Sequence, residues 1–123
     1  MHNKMYSKIS SALQQVLPNN WEDVVLYSHI KDDCYEYKFY VRVNGEYILC
    51  FKLEQKFNIT RQEIMNCFDE LYKTMLPDYH EKQWYSATIQ LSSQGDFSID
   101  YDYEDHSDEE DSYKDNWKKK YLK

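Results

Sequence analysis

Apolar side chains recur every three or four residues in the first part of the chain. Residues 4–17 place the following side chains on one face of a helix: Met5, Ile9, Ala12, Leu13, Val16 and Leu17. Pro18 then ends the repeat. The pattern predicts an amphipathic first helix that packs on a core through this face.

Three strands are predicted next. Residues 21–30 and 34–43 are rich in β-branched and aromatic side chains, and residues 31–33 are predicted to form the turn between them. Apolar and polar side chains alternate in the second run, as in a strand with one buried face. An Asn-Gly pair at 44–45 predicts a tight hairpin, because both residue types tolerate the positive φ of such a turn. A third strand over residues 46–53 completes an antiparallel meander.

A second amphipathic helix is predicted to begin at Thr60. Thr60 and Glu63 have the spacing of a capping box, in which each side chain satisfies a free backbone amide. An apolar stripe at helical period follows: Ile64, Cys67, Phe68, Leu71, Tyr72, Met75 and Leu76. Pro77 is expected to stop this helix, because proline has no amide hydrogen to donate.

Two more strands and a short helix complete the predicted order. The strands span residues 83–91 and 97–103, residues 105–111 are predicted to be an acidic loop, and residues 112–122 a short helix. Lysines near the end of that helix suit the negative end of its dipole. The prediction is one domain over residues 1–123, of the α+β class, with an antiparallel sheet (a three-stranded meander plus a two-stranded hairpin) packed with helices in the order α-β-β-β-α-β-β-α.

Composition narrows the classes of function. The chain has 123 residues, a formal net charge of −7 and 17% aromatic residues, enough for one packed core and unlike a disordered chain. An acidic balance argues against nucleic acid or an anionic membrane as a direct ligand. The N-terminus lacks the pattern of a signal peptide, and no apolar run reaches the length of a membrane span. We therefore expect a cytoplasmic protein.

The three cysteines form no metal or disulfide pattern. Their count is odd and no C-x-x-C pair occurs, so Cys34, Cys50 and Cys67 are predicted to be reduced, buried thiols.

Catalytic motifs are absent from the sequence. The two glycines, Gly45 and Gly95, both fall in predicted turns, so neither a nucleophile elbow nor a phosphate-binding loop can be formed. The histidines form no paired motif and are expected at surface or boundary positions: His2, His29, His80 and His106. We therefore predict that the chain is not an enzyme and binds no cofactor.

Negative charge is concentrated in one part of the chain. Residues 83–113 contain nine carboxylates and no Lys or Arg, whereas residues 1–82 hold ten basic and twelve acidic side chains. The carboxylates at 100, 102, 104, 108 and 111 match EF-hand spacing, but Asp105 stands where the loop needs Gly. Residues 97–103 also alternate as a strand, with Phe97, Ile99, Tyr101 and Tyr103 on one face and the acidic side chains on the other. No metal site is therefore predicted.

The acidic region is the candidate partner-binding surface. Its predicted members are Asp100, Asp102, Glu104, Asp105, Asp108, Glu109, Glu110 and Asp111, with Tyr113 and Trp117 as aromatic anchors. Two alternatives are open. The charges can simply protect an edge strand from aggregation. Trp117 and Tyr121, four residues apart, can instead form the core face of the last helix.

Several motifs, in this order and spacing, resemble the YezG-like immunity proteins, a family of small cytoplasmic antitoxins of Gram-positive bacteria. The two most specific are the strand Gly95-Asp96-Phe97-Ser98-Ile99-Asp100-Tyr101-Asp102-Tyr103 and the ending Trp117-Lys118-Lys119-Lys120-Tyr121-Leu122. Earlier motifs are Pro18 before Trp21, Asn44-Gly45-Glu46-Tyr47, Phe57-Asn58-Ile59-Thr60, and Trp84 before a strand. The resemblance runs from about Leu13 to Leu122.

The resemblance implies a partner and a role. Members of that family are understood to bind and neutralise the nuclease domain of a polymorphic toxin, typically one exported by type VII secretion. A nuclease presents a basic cleft to phosphates, so an acidic face suits it as a partner. A module with a non-nuclease partner and a general DNA-mimic inhibitor are the alternatives. The identity of the toxin and the oligomeric state are left open.

Overall fold

Nine principal elements form the fold in a computed structural model that describes residues 2–31 and 34–122. In chain order they are α1 (His2–Gln14), β1 (Asp23–Lys31), β2 (Cys34–Val43), β3 (Glu46–Leu49), α2 (Leu53–Phe57), α3 (Arg61–Lys82), β4 (Ser86–Ser92), β5 (Phe97–Asp102) and α4 (Glu110–Tyr121). Single 3-10 turns lie at Cys50–Lys52 and Ser107–Glu109. The α+β class and the order of the long elements are confirmed, and α2 is a short addition to them.

The five strands form one antiparallel sheet in the order β3-β2-β1-β4-β5. Strand β1 is central, and its Leu26 lies opposite Phe39 of β2 on one side and Ile89 of β4 on the other. The predicted meander and the predicted hairpin are therefore joined through β1 and β4. Strand β5 is left at one edge of the sheet.

Helices cover both faces of the sheet. Helices α1 and α3 pack on the first face over the main core, where Leu13, Phe39, Leu71 and Trp84 are fully buried. Helix α4 lies on the second face, where Val25, Tyr27 and Trp117 form a smaller buried cluster. Alternation along the strands decides this division, since neighbouring residues of a strand point to opposite faces.

The predicted end of α3 at Pro77 and the predicted start of β4 at residue 83 are both wrong, because tertiary contacts favour a longer helix. Helix α3 continues through Pro77 to Lys82, and Gln83 ends it with a left-handed backbone (φ 57°). The extra turn brings the Asp78 carboxylate within hydrogen-bonding distance of the Trp84 indole N–H (3.1 Å) and the Tyr101 hydroxyl (2.8 Å). These contacts compensate for the amide that Pro77 lacks, and β4 consequently begins at Ser86.

The predicted third strand is too long. Strand β3 ends at Leu49, and the chain turns helical from Cys50 onward. Cys50 and Leu53 are both completely buried. Residues three apart share a side of a helical turn but lie on opposite faces of a strand, so the helical form buries both side chains together.

The remaining predictions about turns and helix ends are confirmed in part. The tight turn is confirmed, with φ 53° at Asn44 and 80° at Gly45. Helix α1 ends at Gln14, three residues earlier than predicted. Lys31 belongs to β1, and the rest of the predicted turn, Asp32 and Asp33, lies outside the described residues. Within the described ranges, no helix is long and apolar enough to cross a membrane.

One of the three thiols differs from the prediction. Cys50 and Cys67 are buried as expected, whereas Cys34, at the start of β2, is exposed. Desolvation raises the pKa of Cys50 to about 11 and that of Cys67 to about 12, so both stay protonated at neutral pH.

Candidate partner-binding surface

The candidate surface is built on the edge strand β5 and the segment that follows it. We use "acidic segment" for residues 100–111. Asp100 and Asp102 lie opposite Thr88 and Ser86 of β4, on the sheet face that α4 covers. The predicted loop after β5 is wrong in part, because a 3-10 turn occupies Ser107–Glu109 and α4 begins at Glu110.

Helix α4 docks on this face through aromatic side chains that also carry polar atoms. The Trp117 indole N–H donates to the Thr88 hydroxyl at 2.9 Å, and both residues are buried. The Tyr121 hydroxyl donates to Oδ2 of Asp100 at 2.8 Å. Burial of Tyr121 and this hydrogen bond both raise the pKa of its hydroxyl. Trp117 and Tyr121 therefore form the core face of α4, which was the packing alternative for these residues.

The predicted anchors differ in how much surface they offer. Trp117 is only 5% exposed, so its indole serves the folded chain itself. Tyr113 is half-buried, and its hydroxyl lies 2.7 Å from the Ser86 hydroxyl. Tyr103 is 59% exposed and lies just beyond the end of β5. The sequence pattern placed Tyr103 on the buried face of the strand, and it is instead the most exposed large apolar side chain of this region.

Most of the predicted acidic residues face solvent. Asp102 is half-buried, and the others are exposed: Asp100, Glu104, Asp105, Asp108, Glu109, Glu110 and Asp111. Glu110 and Asp111 occupy the first turn of α4, where the helix dipole favours negative charge. Asp105 accepts a hydrogen bond from the Ser107 amide at 2.9 Å, and this bond lowers the pKa of its carboxyl group. The result is a negatively charged rim at one edge of the sheet.

A shallow cleft of about 250 Å³ lies between this rim and α4. Its walls include the carboxylates of Asp100 and Asp102, the rings of Tyr113 and Tyr121, and the side chain of Lys120. A concave region that combines carboxylates with aromatic rings suits a cationic side chain of a partner, because both groups attract positive charge.

Sequence reasoning missed the role of His106. Its half-buried position agrees with the predicted surface or boundary location, but nothing in the sequence indicated that its side chain, 12% exposed, bridges the carboxylates of Asp102 and Glu109. Asp102 stands four residues before the histidine and Glu109 three after it, but such spacing predicts contact between side chains only within a helix. Residues 103–106 are not helical, so the contact between His106 and Asp102 depends on how the chain turns after β5 and is not predicted by spacing.

The remaining chemistry does not suggest a metal centre or a nucleophile. Within the described residues, no group of three or more His, Cys, Asp or Glu side chains is arranged to hold a metal ion. The two ring nitrogens of His106 face carboxylates, and neither faces a hydroxyl or thiol group. The arrangement is suited to binding and to electrostatic attraction of a cationic partner.

Comparison with known proteins gives consistent matches over most of the chain. The model of the family described as "Immunity protein YezG-like" matches residues 2–123. A protein called Immunity protein YezG from Bacillus spizizenii (strain W23) is 32% identical over 110 residues, covering 82% of this chain and 68% of the relative. Immunity protein YezG from Bacillus subtilis (strain 168) is 26% identical over 110 residues, covering 82% of this chain and 72% of the relative.

Proposed function

Because this chain belongs to the YezG-like immunity protein family, we propose that it binds a cognate secreted nuclease toxin in the cytoplasm and inhibits it. In this proposal the partner is the C-terminal toxin domain of a polymorphic toxin of the type VII secretion class. The chain acts by binding and catalyses no reaction. It contacts neither nucleic acid nor membrane directly.

The observation that carries the proposal is the exposed negative rim at the β5 edge. A nuclease holds DNA through basic side chains that neutralise phosphates. Carboxylates presented on a folded scaffold can occupy the same basic cleft and exclude DNA from it. Electrostatic complementarity of this kind acts mainly on the association rate, while a few buried contacts set the lifetime of the complex. Tyr113 and the exposed Tyr103 are the aromatic side chains placed to make such contacts.

The test uses a candidate cognate nuclease toxin domain and four charge-neutralising changes. The changes are Glu104→Gln, Asp108→Asn, Glu110→Gln and Asp111→Asn, all at exposed positions of the rim. A matched control neutralises four exposed carboxylates elsewhere: Glu46→Gln, Glu54→Gln, Glu70→Gln and Glu81→Gln. Both variants change the net charge equally, so only the position of the charge differs.

Two measurements give separate answers. Stopped-flow association at low salt is expected to slow roughly tenfold or more for the rim variant and to lose most of its salt dependence, with little change for the control. Nuclease activity is measured with and without the wild-type chain. If the wild type leaves the nuclease fully active, the immunity proposal is wrong. If inhibition is intact and both variants associate equally fast, the acidic rim is not the interface.

A further inference from the structure

His106 lies where the end of β5, the 3-10 turn at Ser107–Glu109 and the start of α4 meet. Its Nε2 is 2.8 Å from Oδ2 of Asp102, and its Nδ1 is 2.8 Å from Oε1 of Glu109. Ionised carboxylates accept hydrogen bonds and cannot donate them. Both ring nitrogens must therefore carry hydrogen for both contacts to form, and that is the cationic state of the ring.

Two aromatic rings enclose the same histidine. The Tyr113 ring stacks on it with 4.1 Å between centroids and 8° between planes, and the Tyr85 ring meets it edge-on at 5.4 Å. A cation gains from contact with an aromatic face. Burial opposes the charge of the ring, but the hydrogen bonds to Glu109 and Asp102 outweigh burial and raise the pKa of His106.

The charged groups around this site are mostly anionic. Two more carboxylates, those of Asp105 and Glu110, lie near the Tyr85 ring. Burial is the main cause of the raised pKa of the Tyr85 hydroxyl, and these two carboxylates raise it further. The other histidine nearby is His29 of β1, whose ring lies 4.3 Å from the Tyr85 ring at a tilt of 38° and whose Nδ1 donates to the Tyr85 carbonyl at 2.6 Å. The Ser107 hydrogen bond is the main cause of the lowered pKa of Asp105, and Lys31 of β1, the nearby cation, helps to lower it. The His106 cation is thus placed among carboxylates contributed by β5, the 3-10 turn and α4.

We propose that His106, in its cationic form, is the positioning residue that fastens the acidic segment to the sheet, and that its deprotonation releases the segment. Losing the proton leaves one ring nitrogen as an acceptor facing an acceptor, so one of the two bridges to Asp102 and Glu109 is lost. Since the pKa of His106 is raised by folding, its contribution to stability is complete below the unfolded-state pKa and disappears as pH rises through the folded-state pKa. The shape of the candidate surface then depends on pH. This inference concerns the isolated chain and holds whatever its partner is.

The test follows the whole chain by NMR between about pH 5 and pH 9. Ring ¹⁵N and ¹H shifts of His106 are expected to show two protonated nitrogens at the acidic end of this range, with a titration midpoint above that of the same residue in the urea-unfolded chain. Amide exchange in residues 103–112, corrected for its intrinsic pH dependence, is expected to become about fivefold faster above that midpoint, the effect of losing one net hydrogen bond.

Two variants separate titration of His106 from general fraying. His106→Gln removes the cation and is expected to exchange rapidly and equally at both ends of the pH range. His80→Gln changes an exposed histidine on α3 and is expected to behave as the wild type. A His106 midpoint at or below the unfolded value would overturn the inference, and so would a pH effect that survives in His106→Gln. If His106→Gln fails to fold, the wild-type titration and exchange data decide the question alone.

Discussion

The hydrogen bond between Trp117 and Thr88 joins α4 to the sheet, and its removal gives a calculable loss of stability. Trp117→Phe removes the donor but keeps an aromatic ring against Tyr27, whose ring lies 5.7 Å away and nearly perpendicular. The Thr88 hydroxyl, 4% exposed, then loses the indole N–H that donates to it. Leaving a buried polar group unpaired costs about 1–3 kcal/mol, and the smaller ring adds a packing loss. We expect Trp117→Phe to lower the free energy of unfolding by about 2–3 kcal/mol.

A double-mutant cycle isolates the hydrogen bond from the packing loss. Thr88→Val removes the acceptor and strands the buried indole N–H, so it is also expected to cost about 1–3 kcal/mol. With both changes present no polar atom is stranded, and the double variant should be less unstable than the sum of the single changes by about 1–2 kcal/mol. Thr88→Ser keeps the hydroxyl and serves as the matched control.

The measurement is urea unfolding followed by far-UV circular dichroism, because tryptophan fluorescence changes with the substitution itself. Equal m-values across the series are needed for the free energies to be compared. Strict additivity of Trp117→Phe and Thr88→Val would refute the reasoning, since it would mean that the bond contributes nothing to docking α4. A Thr88→Ser variant as unstable as Thr88→Val would refute it as well.

Two further predictions follow from burial and capping. In the native state a thiol reagent should modify exposed Cys34 quickly and leave Cys50 and Cys67 unmodified until urea is added. Rapid labelling of all three thiols would contradict the burial and the raised pKa of Cys50 and Cys67. Thr60→Ala should lower the free energy of unfolding by about 1 kcal/mol, since the Thr60 hydroxyl accepts from the Glu63 amide at 3.1 Å, whereas Thr60→Ser should be nearly neutral.

Local signals account for the parts of the fold that the sequence predicted correctly. The Asn44 turn and the Thr60 capping box each depend on a few neighbouring residues, and both are present as expected. Pairing of β1 with β4 joins residues about sixty positions apart, and no local pattern specifies it. The same limit explains Pro77, because contacts made by Asp78 with distant residues keep the helix going past a residue that usually ends it.

The candidate site is harder to predict from the sequence than the fold, and the acidic segment shows why. An apolar face at helical spacing looks the same whether it packs on its own sheet or on a partner, so the position of Trp117 could not be decided from periodicity. The sequence correctly predicts that most of these carboxylates are exposed. Which of them are paired and which are unpaired depends on where His106 lies. That place depends in turn on Tyr85 and Tyr113, which are distant from each other in sequence.

The difference between paired and unpaired carboxylates bears on the function of the negatively charged rim. Asp100, Asp102 and Glu109 each hold a hydrogen bond that fastens the acidic segment or α4, so folding alone explains them. The side chains of Glu104 and Asp108 make no hydrogen bond or ion pair with any other residue in the described part of the chain. Their mutual repulsion with the rest of the rim opposes folding and receives no compensation within it. In the proposed function a cation-rich partner supplies that compensation, and changes at these unpaired positions are then expected to alter the choice of partner while the scaffold beneath them stays the same.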